Sequence, residues 1–136
     1  MFGLFKKKAD SELLKTLRAL PTDPGRVVDL YSQLYAESFL AFVQAGSEAN
    51  LGSALFLTYP TRDQMRELPI FTSREFVLPN MPAEAVLITV PGSALWPRLL
   101  DIVKTGECEA AVDPCQKHGI RLKREMILGM ISKYAA

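Results

Sequence analysis

The sequence is poor in the residues that build metal and redox sites. Among its 136 residues it has two cysteines, Cys108 and Cys115, and one histidine, His118. This set cannot complete a four-ligand zinc site, because no cysteine pair stands at zinc-finger spacing and a second imidazole is lacking. With 49% hydrophobic residues the chain can build a core without staples. We therefore interpret the thiols as reduced cysteines of a cytoplasmic protein, with one disulfide as the open alternative.

The chain also lacks an excess of charge of either sign. Its 16 Lys and Arg residues are matched by 15 Asp and Glu residues, which leaves a net charge of +1. A nucleic-acid partner usually requires a basic face that neutralises several phosphates. A balanced chain supplies such a face only if folding gathers its cations, so we expect no nucleic-acid partner.

Long apolar runs are absent as well. No stretch approaches the ~20 apolar residues that a membrane-spanning helix needs, so we expect no membrane span. At the N-terminus the apolar residues precede Lys6–Lys8, which reverses the order found in a secretory signal. We predict a flexible basic tail over residues 1–9, or alternatively a weak surface anchor, followed by a single domain over residues 10–136.

Motifs of catalysis and nucleotide binding are missing too. The glycines form no phosphate-binding loop between a strand and a helix, and the acidic residues are dispersed. The densest polar cluster is residues 113–119, where a thiol enzyme would use Cys115 as nucleophile and His118 as base. The alternative is a turn that Asp113-Pro114 starts and Gly119 closes. We favour the turn, and expect no enzymatic activity and no cofactor.

The hydrophobic pattern is typical of a mixed fold. Helical spacing of apolar residues predicts a helix over 10–20, another beginning at Asp23-Pro24, a third around Trp96–Val103 and a last one carrying Met126–Ile131. Short apolar runs predict five strands, at 39–43, 54–57, 69–71, 86–90 and 109–112. The run at 39–43 could instead extend the second helix. The prediction is an α/β (α+β) domain with a single mixed sheet of about five short strands covered by helices.

Several residues are candidates for a binding surface. Trp96 and Tyr35 are large amphipathic side chains of the kind that anchors partners, although their helical spacing also suits core packing. Thr72 or Ser73 is a plausible N-cap after the strand ending at Phe71. The candidate surface comprises Tyr35, Phe71, Thr72, Ser73, Trp96, Asp113, Cys115 and His118.

One stretch of sequence resembles a known family. Residues 68–75, Leu-Pro-Ile-Phe-Thr-Ser-Arg-Glu, are similar to the "lPvFTs-x-E" element of the SseB family, which is named for enhanced serine sensitivity in bacteria. Residues 110–114 lie where that family has an apolar strand ending in Asn-Pro-Gly, and residues 119–122 resemble its following "G-v-x-l". Asp113 replaces the usual Asn, and Cys115 replaces the Gly. The resemblance implies the N-terminal SseB-type α/β domain, without established catalytic residues.

The resemblance also guides the functional expectation. We expect a non-enzymatic bacterial protein-binding module, with an accessory, secretion-associated or toxin-neutralising role. The alternative is a small-ligand sensor for amino acids, linked to serine metabolism. The partner is another protein of unknown identity, and homodimerisation through an exposed aromatic face stays open.

Overall fold

A computed structural model describes residues 11–61, 64–103 and 107–135. The helices are α1 (Glu12–Ala19), α2 (Val27–Ala36), α3 (Gly92–Ile102) and α4 (Arg124–Tyr134). The strands are β1 (Ser38–Gln44), β2 (Tyr59–Pro60), β3 (Arg66–Phe71), β4 (Ala85–Pro91), β5 (Cys108–Val112) and β6 (Ile120–Leu122). The predicted basic tail lies outside the described residues, and the single-domain assignment stays a prediction.

The strands form one mixed sheet in the order β4-β1-β3-β5-β6. β3 and β5 run parallel, whereas β1–β3, β1–β4 and β5–β6 are antiparallel. The short strand β2 pairs with the start of β3. The predicted fold class, a single mixed sheet with helices packed on it, is confirmed.

The helices cover one face of the sheet and enclose the core. Trp96 of α3 lies at its centre, fully buried, with its ring edge-on to Phe39 at a centroid distance of 5.5 Å. The indole Nε1–H donates to the carbonyl oxygen of Leu34 at 2.8 Å, so the one polar atom of this side chain is satisfied. Around it pack apolar residues from all four helices and from five strands, among them Leu13, Leu17, Leu30, Ile70, Val90, Leu99, Val112, Leu122 and Ile127.

The opposite face of the sheet is covered less evenly. In β3 every residue from Glu67 to Phe71 is buried, and the rings of Phe71 and Phe42 meet edge-on at 5.9 Å. By contrast, β4 at the margin of the sheet is half-buried from Ala85 to Ile88. Both faces of the sheet are thus covered at its centre, and the cover is incomplete at this margin.

Local sequence explains most element boundaries. Ser11 caps α1 by accepting from the N–H of Leu14 at 3.1 Å. The helix expected at Asp23-Pro24 begins there as a short 3-10 turn, without a capping bond from the Asp23 side chain, and continues as α2. α3 begins at Gly92, before the expected start. The chain passes so close to α2 at this residue that a Cβ would lie 2.5 Å from the Leu34 carbonyl oxygen, so only glycine fits there.

One predicted strand is not formed as a strand. Residues 54–57 make only a single bridge, between Phe56 and Val43, after a 3-10 turn at Leu51–Ser53. Two backbone bonds flank that bridge, from Gln44 N–H to Leu55 and from Leu57 N–H to Phe42. This segment therefore lies along β1 and leads into β2 without forming a regular ladder.

Candidate functional site

The loop after β5, residues 113–119, is fixed to the end of β3 by one buried carboxylate. Asp113 is fully buried, and its Oδ1 accepts from the backbone N–H of Thr72 at 2.8 Å. Its Oδ2 accepts from Thr72 Oγ1 at 2.6 Å and lies 2.8 Å from His118 Nε2. A carboxylate only accepts, so Nε2 must carry the hydrogen of that contact. Thr72 and Asp113 are 41 positions apart, and their contact joins the ends of two parallel strands.

The backbone of this loop is unusual at two positions. Asp113 and Cys115 have φ values of 49° and 71°, in the left-handed region that L-residues seldom occupy. Gly119 closes the loop, and a Cβ there would lie 2.4 Å from the carbonyl oxygen of Asp113. A glycine is therefore required at 119, and the predicted turn has the permissive residue where the geometry needs it.

Cys115 and His118 do not form a thiol–imidazole pair. His118 is buried, bound to Asp113, and packed against the ring of Phe76 at a centroid distance of 4.8 Å. Cys115 is exposed and opens onto a different hollow from the one that His118 lines. The arrangement favours the turn over the thiol enzyme. Cys108 is buried, and burial raises the pKa of its thiol, which keeps that sulfur in its less nucleophilic protonated form.

A cleft of about 500 Å³ opens on the face of the sheet away from the helices. Its wall carries Glu67, which is only 4% exposed although it is an acid. Arg121 Nε lies 2.7 Å from Glu67 Oε1, and the hydroxyl of Tyr59 donates to Oε2 at 3.0 Å. Burial raises the pKa of Tyr59 well above 10.0, and the negative charge of Glu67 is the second cause of the increase. Cys115 lines the same cleft, which thus presents a carboxylate, a guanidinium, a phenol and a thiol.

A second hollow of about 470 Å³ lies beside this cleft and shares Tyr59 and Cys115 with it. Its other walls come from Leu57–Thr58 and from the segment Leu78–Pro82, and they are largely apolar. Cys115 therefore stands on the ridge between a charged cleft and an apolar hollow.

A third concave surface is the groove between α2 and α4, of about 440 Å³, which we call the α2–α4 groove. Val27, Val28 and Met126 line it and are 44%, 73% and 39% exposed. Only two other large hydrophobic residues, Leu55 and Leu128, are comparably exposed within the described ranges. Three of the five exposed apolar side chains are thus gathered at one groove.

The predicted surface residues lie partly in the interior and partly at separate positions on the surface, with Cys115 on the ridge between the two clefts. Phe71 and Trp96 are fully buried and serve packing, while Asp113, His118 and Thr72 come together as the anchor of the loop. Ser73 caps the 3-10 turn at Arg74–Phe76 by accepting from the N–H of Glu75. Tyr35 is half-buried and its ring lies 6.1 Å from that of Tyr134, at the seam between α2 and α4. The set therefore does not form one continuous surface.

The sequence reasoning overlooked the charged cleft and the α2–α4 groove. The position of Glu67 could have been recognised from the sequence, because alternation puts it on the same sheet face as Pro69 and Phe71. A carboxylate on an apolar face requires a hydrogen-bonding or charged partner. Arg121 gave no such signal, since it lies on a three-residue strand. Across residues 11–61, 64–103 and 107–135, His, Cys, Asp and Glu side chains are not grouped in threes as a metal ion would require. None of the helices in these ranges is long and apolar enough to cross a bilayer.

The fold and its concave surfaces define the class of protein. It is an α+β domain whose mixed sheet is covered by helices on one face and carries clefts on the other. The model of one family, described as SseB protein N-terminal domain, matches residues 11–128. The match covers most of the chain, and the chain belongs to the SseB family. No curated protein and no solved structure matches it.

Proposed function

We propose that this domain is a non-enzymatic protein-binding module of the bacterial cytoplasm, and that it takes its partner in the α2–α4 groove. The observation that carries the proposal is the gathering of Val27, Val28 and Met126 at one concave surface. Exposed large hydrophobic side chains are ordinary when scattered, but a cluster in a groove with a polar rim is typical of an interaction site.

Glycine and charge in the groove indicate the kind of partner. Gly129 lies in the middle of α4, where a Cβ would meet nothing within 4 Å, so the groove is open at that point. Glu125 stands one turn before Gly129 and Lys133 one turn after it, and both line the groove. We expect an amphipathic helix with apolar residues one turn apart, a basic residue opposite Glu125 and an acidic residue opposite Lys133.

A displayed library of helical peptides, selected on the purified chain, tests this proposal. We expect enriched peptides to share the apolar spacing and the two flanking charges, and to lose binding when Gly129→Leu fills the groove. Ser132→Leu is the matched control, because it puts the same side chain at an exposed position of the same helix that does not line the groove. No enrichment, or peptides that bind Gly129→Leu as well as the parent chain, would count against the groove.

The exchange of charges sharpens the test. In the double variant Glu125→Lys, Lys133→Glu the two charges that line the groove change places. Selection on this variant should therefore return peptides whose flanking charges are also exchanged. A consensus with unchanged charge would mean that the peptides bind elsewhere.

The charged cleft favours a second candidate function, the binding of a small amino acid. Its wall presents the guanidinium of Arg121, whose side chain is 57% exposed and can bind the carboxylate of an amino acid. A ligand at 100 times its dissociation constant stabilises the folded state by about 2.7 kcal/mol. We expect thermal unfolding against an amino-acid panel to show such a shift, and Arg121→Gln to abolish it. Arg74→Gln, which alters an exposed arginine away from the cleft, should keep it. No shift with any amino acid would remove this candidate.

A further inference from the structure

The two margins of the sheet differ in how they are protected. β6 ends one side with only three residues and carries the exposed Arg121. Short strands and charged side chains are devices by which proteins keep sheet edges from pairing with other chains. β4 ends the other side with seven residues, Ala-Val-Leu-Ile-Thr-Val-Pro, and has no charged residue along its length. Its proline stands at the last position, so it leaves the preceding residues free to pair.

The hydrogen-bonding pattern shows which groups of β4 face outward. Glu84 and Gly92 flank β4 on either side. The Gly92 N–H donates to the carbonyl oxygen of Glu37, and the carbonyl oxygen of Glu84 accepts from the Ala45 N–H. In the same register, the even-numbered residues of β4 form their backbone hydrogen bonds with β1. In an antiparallel ladder the alternate residues point their N–H and C=O groups the other way. Those residues are Ala85, Leu87 and Thr89. The N–H of Ala85 is used by the turn at Pro82, while the described residues offer no backbone partner to the N–H of Leu87 or of Thr89.

We propose that β4 pairs with β4 of a second copy of this chain, antiparallel about a twofold axis at Leu87 or one residue further, at Ile88. A twofold contact must be self-complementary, because the same strand supplies both sides. Either register satisfies the outward N–H of Leu87 and of Thr89 in both copies, which makes four hydrogen bonds across the interface.

The uncharged side chains of β4 are better suited to pairing with β4 of a second copy than with a strand that carries charged side chains. With the axis at Leu87, Val86 stands opposite Ile88 of the other copy, and Ala85 stands opposite Thr89. With the axis at Ile88, Val86 stands opposite Val90. In both registers uncharged side chains face each other, so like charges are not brought together, and β-branched pairs of this kind stabilise neighbouring strands. The half-buried state of Val86, Leu87 and Ile88 leaves apolar surface for the second copy to cover.

Sedimentation equilibrium tests the assembly. The unmodified chain should sediment at twice 15.1 kDa, and Thr89→Lys, which places a charge on the free edge, should return it to 15.1 kDa. Val28→Lys is the control, because it makes the same kind of change at an exposed residue of the α2–α4 groove and should leave the dimer intact. A monomer at every concentration would overturn the proposal. A dimer that Val28→Lys dissociates and Thr89→Lys does not would overturn it as well, and would move the contact to the groove.

Hydrogen exchange adds a readout that does not depend on substitution. The amides of Leu87 and Thr89 should exchange slowly at concentrations that favour the dimer and quickly on dilution, while the amide of Ile88, bonded to β1, stays protected throughout. Fast exchange at Leu87 and Thr89 in the dimeric state would contradict edge pairing. The partner predicted for the groove has no part in this measurement, so the two proposals stand or fall separately.

Discussion

Replacing Asp113 by alanine should destabilise the protein more than any other single side-chain truncation in the loop after β5. The Asp113 carboxylate accepts from the N–H and hydroxyl of Thr72 and from Nε2 of His118, at 2.6–2.8 Å. A buried donor left without its acceptor costs about 1–3 kcal/mol. Alanine also tolerates the left-handed φ of 49° poorly, at about 1–2 kcal/mol. Taking the lower part of these ranges, because Thr72 is only half-buried, we expect a loss of about 3–5 kcal/mol.

Asp113→Asn is the control that isolates this reasoning. Asparagine accepts the left-handed backbone, and its amide oxygen can accept from the N–H of Thr72. Its NH₂ group has two hydrogens, one for Thr72 Oγ1 and one for a neutral His118 whose proton has moved to Nδ1. All three contacts survive, so we expect a loss of about 1 kcal/mol or less.

Urea unfolding followed by the fluorescence of Trp96 measures both variants. This residue is the one tryptophan of the chain and is fully buried, so its emission reports on the core. Domains have a total stability of about 5–15 kcal/mol, and Asp113→Ala should therefore remain measurable. A loss below about 1 kcal/mol for alanine, or equal losses for alanine and asparagine, would refute the claim that this carboxylate fixes the loop.

Three further predictions concern ionisation, thiol reactivity and glycine. In an alkaline absorbance titration, Tyr59 should ionise well above the ordinary tyrosine pKa of 10.0. Folding stability should fall once the pH exceeds 10.0, because the raised pKa makes the folded state hold the proton that the unfolded state releases. A brief pulse of iodoacetamide at neutral pH should label Cys115 and spare the buried Cys108, as mass spectrometry of the intact chain will show. Gly129→Ala should stabilise the protein by about 1 kcal/mol in urea unfolding. Gly119→Ala should destabilise it, since its Cβ would collide with backbone.

Each of these predictions has a contradicting result. Tyr59→Phe must remove the late phase of the titration, and a late phase that persists would assign it to another tyrosine. In Cys115→Ser the pulse should leave the chain unlabelled, and rapid labelling would show that Cys108 is accessible. Equal effects of alanine at Gly119 and Gly129 on the free energy of unfolding would mean that the space around a glycine does not determine the effect of its substitution.

The sequence pattern predicted the helices and strands that are long enough to leave a recognisable hydrophobic pattern. Runs such as 39–43 and 86–90 extend over enough residues for burial to leave a continuous apolar stretch, and both became strands. β2 and β6 have two and three residues, too few for any periodicity, and they are held by pairing with β3 and β5 instead. The apolar run at 54–57 is long enough to predict a strand, but its pairing with β1 is limited to one bridge. The strand predicted there was therefore wrong.

The candidate site was less predictable because its contacts are long-range. The bond between Thr72 and Asp113 depends on β3 and β5 being parallel neighbours, a fact of strand order that periodicity does not encode. The same holds for Glu67 of β3 and Arg121 of β6, which meet across the intervening strand β5. Aromatic residues misled in the opposite direction. Trp96 and Phe71 are the size of interface anchors, yet the same size makes them the centre of the packing on either face.

The two departures from the family pattern fall at positions where the backbone itself explains that pattern. Asn and Gly, the usual residues of the Asn-Pro-Gly element, are the two that most readily adopt a positive φ. Here Asp113 and Cys115 occupy those positions with φ of 49° and 71°. The acid loses little, because its carboxylate is held by two donors of Thr72 and one of His118. Cys115 has no such compensation among the described contacts, since its side chain is exposed. The loop therefore holds a thiol on strained backbone at the ridge between two clefts, a position that stability alone does not favour.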